Sequence, residues 1–422
     1  MSKQIKITAP KGTHDILPSD VHIWQYVENK IYKICKNFGY SEIRFPVFEQ
    51  TDLFNRGVGD TTDVVQKEMY TFNDKGDRSI TLRPEGTAST VRSFLENNLY
   101  NAPAPVKLFY IITCYRYERP QAGRFREFRQ FGIENFGSSN PLTDAEVISL
   151  AMSLLKKLGI KDLTLYINSI GCPDCRKKYN ELLKGYLTEH SNDLCELCND
   201  RIGRNPLRVL DCKNPNCKDV ILNAPTVDTV LCDDCRSHFD TLKNALASLN
   251  VNFVVDTTLV RGLDYYTKTV FEIKSSDLGA QSTVCGGGRY DGLVEQLGGD
   301  STPGIGFSVG LERLIDILTK NNLLPEKDTN TEIFIASIGD SAAKISFNLV
   351  SKLRSNGVVA EFDHLNRSVK AQLKYADKIG AKYSAVIGDD EIARGSVNVK
   401  NMMTGEMKEF TFDDLIANLP NF

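Results

Sequence analysis

Two long strand-like runs separated by a charged loop constrain the fold more than any other feature of the sequence. VKLFYIITCY (106–115) is almost wholly apolar and reads as a buried strand, and FREFRQFGIENFG (125–137) reads as a second one returning after RYERPQAGR. Together they make a long antiparallel hairpin. TLVRGLDYYTKTVFEI (258–273) and the segment ending at Gly288 again read as strands, while Leu311, Leu314, Ile315 and Leu318 mark a helix. Upstream, Val21, Trp24, Val27, Ile31, Ile34, Cys35 and Phe38 recur at helical spacing over residues 19–38, and Gly39 suits the helix stop. Ile43, Phe45 and Val47 then alternate with polar or breaking residues, and Pro46 confines that strand to an edge or to an interrupted ladder. A helix followed by an edge strand can serve a dimer interface. The body is therefore α+β, an antiparallel sheet with helices and not a βαβ array.

A chain of 422 residues exceeds one ordinary core and suggests two to four domains. The sheet-bearing body is assigned to 1–168 and 252–324. Over 169–251 cysteine pairs, charges and short helical stretches interrupt the strand pattern, which reads as an inserted, mostly helical domain. After LLPEKDTNT, the segments EIFIAS, AAKISFNLVSKL, VVAEF, SVKAQLKYADKI and YSAVIG alternate strand and helix, so 330–422 reads as a separate α/β domain with parallel strands. No apolar leader region and no run long enough to span a bilayer is found, which points to a cytoplasmic protein without a membrane partner. A net charge of −3 gives no global attraction to nucleic acid, so any RNA contact must be local.

Four segments place arginine or carboxylate beside strands or turns that should be buried: TLRPEGTA (81–88), RYERPQAGRFREFRQFGIE (116–134), RGLDYYT (261–267) and GIGFSVGLERL (304–314). A buried charge needs a partner, so these residues are internal ion pairs or ligand contacts. Arginine matches phosphate oxygens bidentately, and Arg313 near a helix start adds the positive end of the helix dipole. Arg116, Arg261 and Arg313 are thus phosphate candidates. GGGRYDGL (286–293) alone reads equally well as a tight turn packed on sheet. The GxxxxGK[ST], HExxH and GxSxG patterns are absent, which argues against a Walker-type site, a zinc hydrolase and a serine-elbow hydrolase.

These four segments, in this order, resemble the class II aminoacyl-tRNA synthetases, and RGLDYYT with GGGRYDGL is similar to the signature pair of the histidine-specific members. The resemblance runs from PKGTHDILP (10–18) into the C-terminal domain, and the HIGH and KMSKS signatures of the other synthetase class are absent. It implies a six- or seven-stranded antiparallel sheet, a homodimer formed around Pro46, and activation of L-histidine by ATP with Mg²⁺ for transfer to tRNA(His). By the same resemblance Arg116 holds the α-phosphate and Arg313 the γ-phosphate. Arg124 lies near the outer phosphates, Glu118 reads the adenine edge and Phe128 stacks on its ring. Glu85, Thr87 and Gln130 hold the α-ammonium, Glu134 and Tyr265 address the imidazole nitrogens, and Tyr266 lines the pocket. Arg261 resembles the catalytic arginine, Arg119 and Gln121 would touch the acceptor end, and residues 330–422 would bind the anticodon. There, Arg367, Lys370, Lys374 and Lys378 lie on or near one helix face, equally readable as a solvated basic face. A catalytically silent, histidine-sensing regulatory subunit of a phosphoribosyltransferase is the alternative. Such proteins usually lack both the anticodon domain and RGLDYYT. A class II ligase for another amino acid is disfavoured by Glu134 and the two tyrosines.

Cys172/Cys175, Cys195/Cys198, Cys212/Cys217 and Cys232/Cys235 form three CxxC pairs and one Cx₄C pair, the spacing of zinc knuckles. Two structural zinc sites, one site with leftover thiols, or reduced thiols alone all fit this spacing. A disulfide is disfavoured in a reducing compartment. The resemblance itself supplies no catalytic need for zinc.

Overall fold

The structure, a computed structural model, describes residues 7–59, 62–121, 123–276, 283–326 and 331–419. Ala122 of the charged loop, part of the linker LLPEKDTNT and the two ends of the chain therefore lie outside the described residues. The chain divides into two compact units, 1–325 and 326–422. No helix of the described residues is long and apolar enough to cross a membrane.

Among the described residues the first unit contains eleven strands: β1 (Ser41–Glu42), β2 (Phe48–Gln50), β3 (Tyr70–Asn73), β4 (Ser79–Leu82), β5 (Val106–Tyr115), β6 (Glu127–Phe136), β7 (Leu163–Ser169), β8 (Phe253–Val255), β9 (Thr267–Ser275), β10 (Thr283–Arg289) and β11 (Gly304–Gly310). Eight form one sheet in the order β1-β5-β6-β11-β10-β9-β7-β8. Its six inner strands are mutually antiparallel, while the outermost β1 and β8 add in parallel. The hairpin expected from the two apolar runs is β5–β6, paired from Val106↔Phe136 to Tyr115↔Glu127. A second, three-stranded sheet runs β2-β4-β3.

Pro46 divides the expected edge strand as its chemistry requires. β1 ends before it on one sheet and β2 begins after it on the other, because the prolyl ring offers no N–H to continue a ladder. The carbonyls freed at the break are met by Arg83, whose Nη1 donates to Phe45 O (2.7 Å) and Pro46 O (2.8 Å) and whose Nε donates to Thr113 O (2.7 Å). This arginine of TLRPEGTA therefore satisfies backbone.

The helix Val21–Asn37 buries Trp24, Val27, Ile31, Ile34 and Cys35 against a core shared with Phe109, Phe131, Ile133 and Leu311. Each such aliphatic or aromatic side chain contributes about 1.5–3 kcal/mol by leaving water. The helix Pro141–Lys157 lies on the same core. So does the far end of the helix Asp233–Ser248, through Phe239, Leu242 and Leu246. Residues 173–231 form the long helix Pro173–Glu189 and then short helices and 3₁₀ turns, around a separate cluster that includes Tyr179, Leu183, Leu187 and Val209.

In the second unit the strands are β12 (Ile333–Ser337), β13 (Ala360–Phe362), β14 (Tyr383–Ile387), β15 (Ser396–Asn401) and β16 (Met407–Thr411), ordered β13-β12-β14-β15-β16. The first three are parallel, as the strand–helix alternation predicts. The last two turn back antiparallel, β15 after the six-residue helix Asp389–Arg394 and β16 after a turn.

Candidate active site

Alternation along β6 turns Phe128, Gln130, Gly132 and Glu134 to one face of the large sheet and Phe131 and Ile133 into the core. Tyr110 is the cross-strand partner of Gly132, and a Cβ on that glycine would overlap its ring. The missing side chain lets the tyrosine lie flat and reach Glu134 Oε1 at 3.1 Å. Thr87 Oγ1 donates to the same oxygen at 2.8 Å, and Tyr290 donates to Oε2. Gly306, opposite Glu134 on β11, leaves room for the carboxylate where any larger residue would strike it. Burial pushes the Glu134 carboxyl up to about 8, even though the hydroxyl donors oppose it.

Beside it, Glu85 caps the start of the helix Thr87–Glu96, accepting from Thr87 N at 2.7 Å and Ala88 N at 2.8 Å. Burial raises this carboxyl above the usual range, and the two N–H groups with the Arg116 charge only partly offset it. A concave site holding two buried carboxyl groups suits a ligand that brings cationic or N–H groups of its own.

RGLDYYT, expected above to be strand, is not: 261–266 is a loop, and β9 starts only at Thr267. The loop lays Arg261 over Gly286, where a Cβ would overlap the guanidinium. Arg261 pairs through Nη1 with Glu272, which also faces Lys274 (3.6 Å) and accepts from Thr283 Oγ1 (3.1 Å). Its Nε is buried and has no hydrogen-bond partner among the described residues. The Tyr265 and Tyr266 rings touch at 4.7 Å, and Tyr265 meets Tyr290 at 5.7 Å.

Arg116 donates through Nε to Pro84 O (2.8 Å) and lies over the Phe128 ring at 5.4 Å. Arg313 sits in the first turn of the helix Leu311–Lys320 and donates to Thr283 O at 2.9 Å. Arg124 binds Glu118 at 2.9 Å, so two residues expected on the nucleotide pair with each other.

One cavity of about 1290 Å³ is lined by Glu85, Thr87, Arg116, Glu118, Arg124, Phe128, Gln130, Arg261, Tyr265, Tyr266 and Arg313. Glu134 lies beneath it under Tyr290 and Gly306, which do line it. Arg119 and Gln121 are exposed and lie off this lining. Tyr110, Tyr290 and Glu272 were not singled out from the sequence, although Glu272 is a charge on a buried strand, the same signal that marks the arginines. The thiols gather as Cys172, Cys175, Cys232 and Cys235, and as Cys195, Cys198, Cys212 and Cys217. Cys195 and Cys212 lie on the cavity wall.

Not every buried arginine faces the cavity. Arg289 is fully buried against Asp144 and also donates to Asp291 (3.0 Å) and Ser138 O (2.8 Å); His238 meets Asp144 at 2.8 Å. Burial alone would raise the Asp144 carboxyl, but the His238 hydrogen bond and the Arg289 charge outweigh it and hold it below the usual range. In the second unit Lys370, Lys374 and Lys378 are exposed along the helix Val369–Lys378. Arg367 precedes that helix, pairs with Asp363 at 2.5 Å and covers Tyr375 at 4.0 Å.

Residues 12–314 match the histidyl-tRNA synthetase family, and residues 332–421 match the anticodon binding domain. A histidine–tRNA ligase of Acetivibrio thermocellus is 57% identical over 411 residues, covering 97% of this chain and 99% of that one. One of Clostridioides difficile is 56% identical over 97% and 98% of the two chains. Among solved structures, apo histidyl-tRNA synthetase of S. aureus superposes with a TM-score of 0.85 at 40% identity, over 98% of this chain and all of that one. With the cavity and its buried carboxyl groups in place, these matches over both units establish that the chain belongs to the histidyl-tRNA synthetase family.

Proposed function

We propose that the chain activates L-histidine with ATP to histidyl-adenylate and transfers the histidyl group to the 3′ end of tRNA(His), acting in the cytoplasm as a homodimer. The observation that carries this reading is the convergence of Arg116, Arg261, Arg313 and the buried Glu85 on one cavity, with the buried Glu134 directly beneath it under Tyr290. Such a site suits a polyphosphate and a small zwitterion at once.

In this reading the histidine carboxylate, already ionised at neutral pH, attacks the α-phosphorus directly. A carboxylate O–P bond forms, the bond to the β-phosphate oxygen breaks, and pyrophosphate leaves with the Mg²⁺ that arrived on ATP. No strong base is needed, so positioning and charge neutralisation supply the acceleration. Arg261 is aimed for this: Glu272 fixes one edge of its guanidinium while Nε stays unpaired. Arg116 is assigned the α-phosphate, Arg313 the γ-phosphate and Arg124 the outer phosphates, with Glu118 and Phe128 on the adenine. Glu85, Thr87 and Gln130 take the ammonium, and Glu134, Tyr265 and Tyr266 the imidazole. A terminal ribose hydroxyl of the tRNA then attacks the carbonyl carbon and AMP leaves, with Arg119 and Gln121 at the acceptor end. Their exposure suits an RNA contact.

Residues 330–422 are assigned the anticodon, with the exposed lysines as phosphate contacts. Exposed Val47, Phe48 and Phe72 on and beside the small sheet support dimerisation there. The cysteine pairs are assigned structural zinc with no part in the activation step. No observation favours the regulatory reading.

Histidine-dependent exchange of pyrophosphate into ATP tests the proposal. The native chain should catalyse it, and Arg261→Ala should reduce it by about 10²–10³-fold, the cost of removing one transition-state donor. Folded, histidine-binding protein that shows no exchange would overturn the assignment in favour of the regulatory subunit.

A further inference from the structure

We infer that residues 172–235 hold two Zn²⁺ ions in separate four-thiolate sites, and that these ions brace the loop 261–266 that carries Arg261, Tyr265 and Tyr266. The inference rests on the zinc reading of the cysteine pairs above and is independent of the aminoacylation reading.

Within each tetrad the four sulfurs all lie within 4.8 Å of one another. Cys172 and Cys175 are 3.5 Å apart and Cys195 and Cys212 are 3.9 Å apart. A disulfide requires about 2.05 Å. A tetrahedron with Zn–S bonds of about 2.3 Å has edges of about 3.8 Å, so the spacing is that of ligands around one ion. Four soft donors, with no fifth Cys, His, Asp or Glu ligand grouped with them among the described residues, favour Zn²⁺ in a closed, structural site.

The surroundings are built to carry thiolate charge. In the first tetrad each pair opens a helix, Pro173–Glu189 or Asp233–Ser248, and the pairs exchange backbone hydrogen bonds: Cys172 N donates to Cys235 Sγ at 3.2 Å and Cys232 N donates to Cys175 Sγ at 3.1 Å. In the second, Cys195 opens the helix Glu196–Arg204 and its N–H donates to Cys217 Sγ at 3.2 Å, while Asn214 N donates to Cys212 Sγ at 3.4 Å. Helix N-termini and directed N–H groups both stabilise anionic sulfur. Gly171 turns into the first site at φ +71°, and a Cβ there would lie 2.5 Å from Cys175 Cβ.

Each tetrad anchors a contact to the loop. Arg176 directly follows Cys175 and donates to the carbonyls of Asp264 (3.2 Å) and Tyr266 (2.8 Å). Asn205 and Arg208 lie between the two pairs of the second tetrad. Asn205 donates to Asp264 Oδ1 at 3.0 Å, and Arg208 binds the Gly262 carbonyl and lies 3.6 Å from Asp264. Arg176 stands in the first turn of the helix that Cys172 opens, while Asn205 and Arg208 lie at a single 3₁₀ turn with little regular structure to hold it, the situation in which small folds rely on a metal.

The test uses full-length protein purified without chelator. Elemental analysis should find about two zinc ions per chain. One or fewer, or iron in their place, overturns the assignment. Cobalt replacement should give the charge-transfer bands of tetrahedral thiolate ligation, and a spectrum of oxygen or nitrogen ligands would overturn it. Cys195→Ser with Cys198→Ser should remove one ion and leave the other; if that variant fails to fold, the native metal count still decides. For the brace, zinc removal should weaken histidine binding at least about tenfold and speed amide exchange across 261–266, with the second unit unaffected. Unchanged binding and exchange after both ions are lost would refute the brace. Zinc absent from protein that still exchanges pyrophosphate would sink this inference alone; zinc present without exchange would sink only the enzymatic reading.

Discussion

Tyr290 reaches across β11 to donate its hydroxyl to Glu134, joining the end of β10 to the C-terminal part of β6 beneath the cavity. The bond fixes the carboxyl that is assigned to the imidazole. Tyr290→Phe removes it without changing ring shape, and a buried hydrogen bond of this kind contributes about 1–2 kcal/mol. Steady-state exchange kinetics should show kcat/KM for histidine falling roughly 5- to 30-fold while KM for ATP is unchanged. An equal effect on both substrates would mean that Tyr290 supports the fold and not histidine binding.

A second prediction concerns protons. With its carboxyl near 8, Glu134 keeps a proton in the folded, unliganded chain through neutral pH, whereas the unfolded chain loses it near 4.3. Because the folded state binds more protons in that window, stability from this group is greatest at the acid end and declines as pH rises toward 8. An imidazole N–H donated to Glu134 favours the ionised form, so histidine binding at pH 7 should expel most of that proton, roughly 0.9 per site. Calorimetry in buffers of different ionisation enthalpy reads this release directly. Glu134→Gln should abolish it, and release that persists in the variant would assign the proton elsewhere.

Arg289 and Asp144 predict a purely structural outcome. Both are fully buried, so Asp144→Asn leaves the guanidinium only the partly exposed Asp291 as counter-charge and should cost up to about 3–5 kcal/mol. Denaturant unfolding of the first unit should report that loss. The double variant Asp144→Leu with Arg289→Met should recover part of it, since it removes both buried charges and forfeits only the contacts of Asp144 with His238 and of Arg289 with Asp291. A double variant no more stable than the single one would show that packing, and not charge, sets the cost.

The elements legible in the sequence are those where one local pattern decides the outcome. The apolar runs specify β5–β6, the helical period specifies Val21–Asn37, and alternation on β6 puts Phe128, Gln130 and Glu134 on one face. Tyr110 was hidden because it sits in an apolar run where a tyrosine reads as core. What makes it part of the site is the vacancy at Gly132, which becomes its neighbour only through strand pairing. The loop at 261–266 was misread as strand because its aromatic residues suit β structure. Its actual restraints come from Arg176, Asn205 and Arg208, distant in sequence. Spacing grouped the cysteines into pairs, but which pair joins which depends on the folded path from 172 to 235.

Those three restraints have a thermodynamic consequence. The backbone of the amino-acid loop is tied to the inserted segment, so a displacement of that segment changes the free energy of the loop. Coupling of this kind is reciprocal. If an acceptor stem shifts the insertion, it alters the affinity for histidine by some factor, and histidine must then alter the affinity for that stem by the same factor. The fold thus gives amino acid and RNA a route to sense one another before either has reacted.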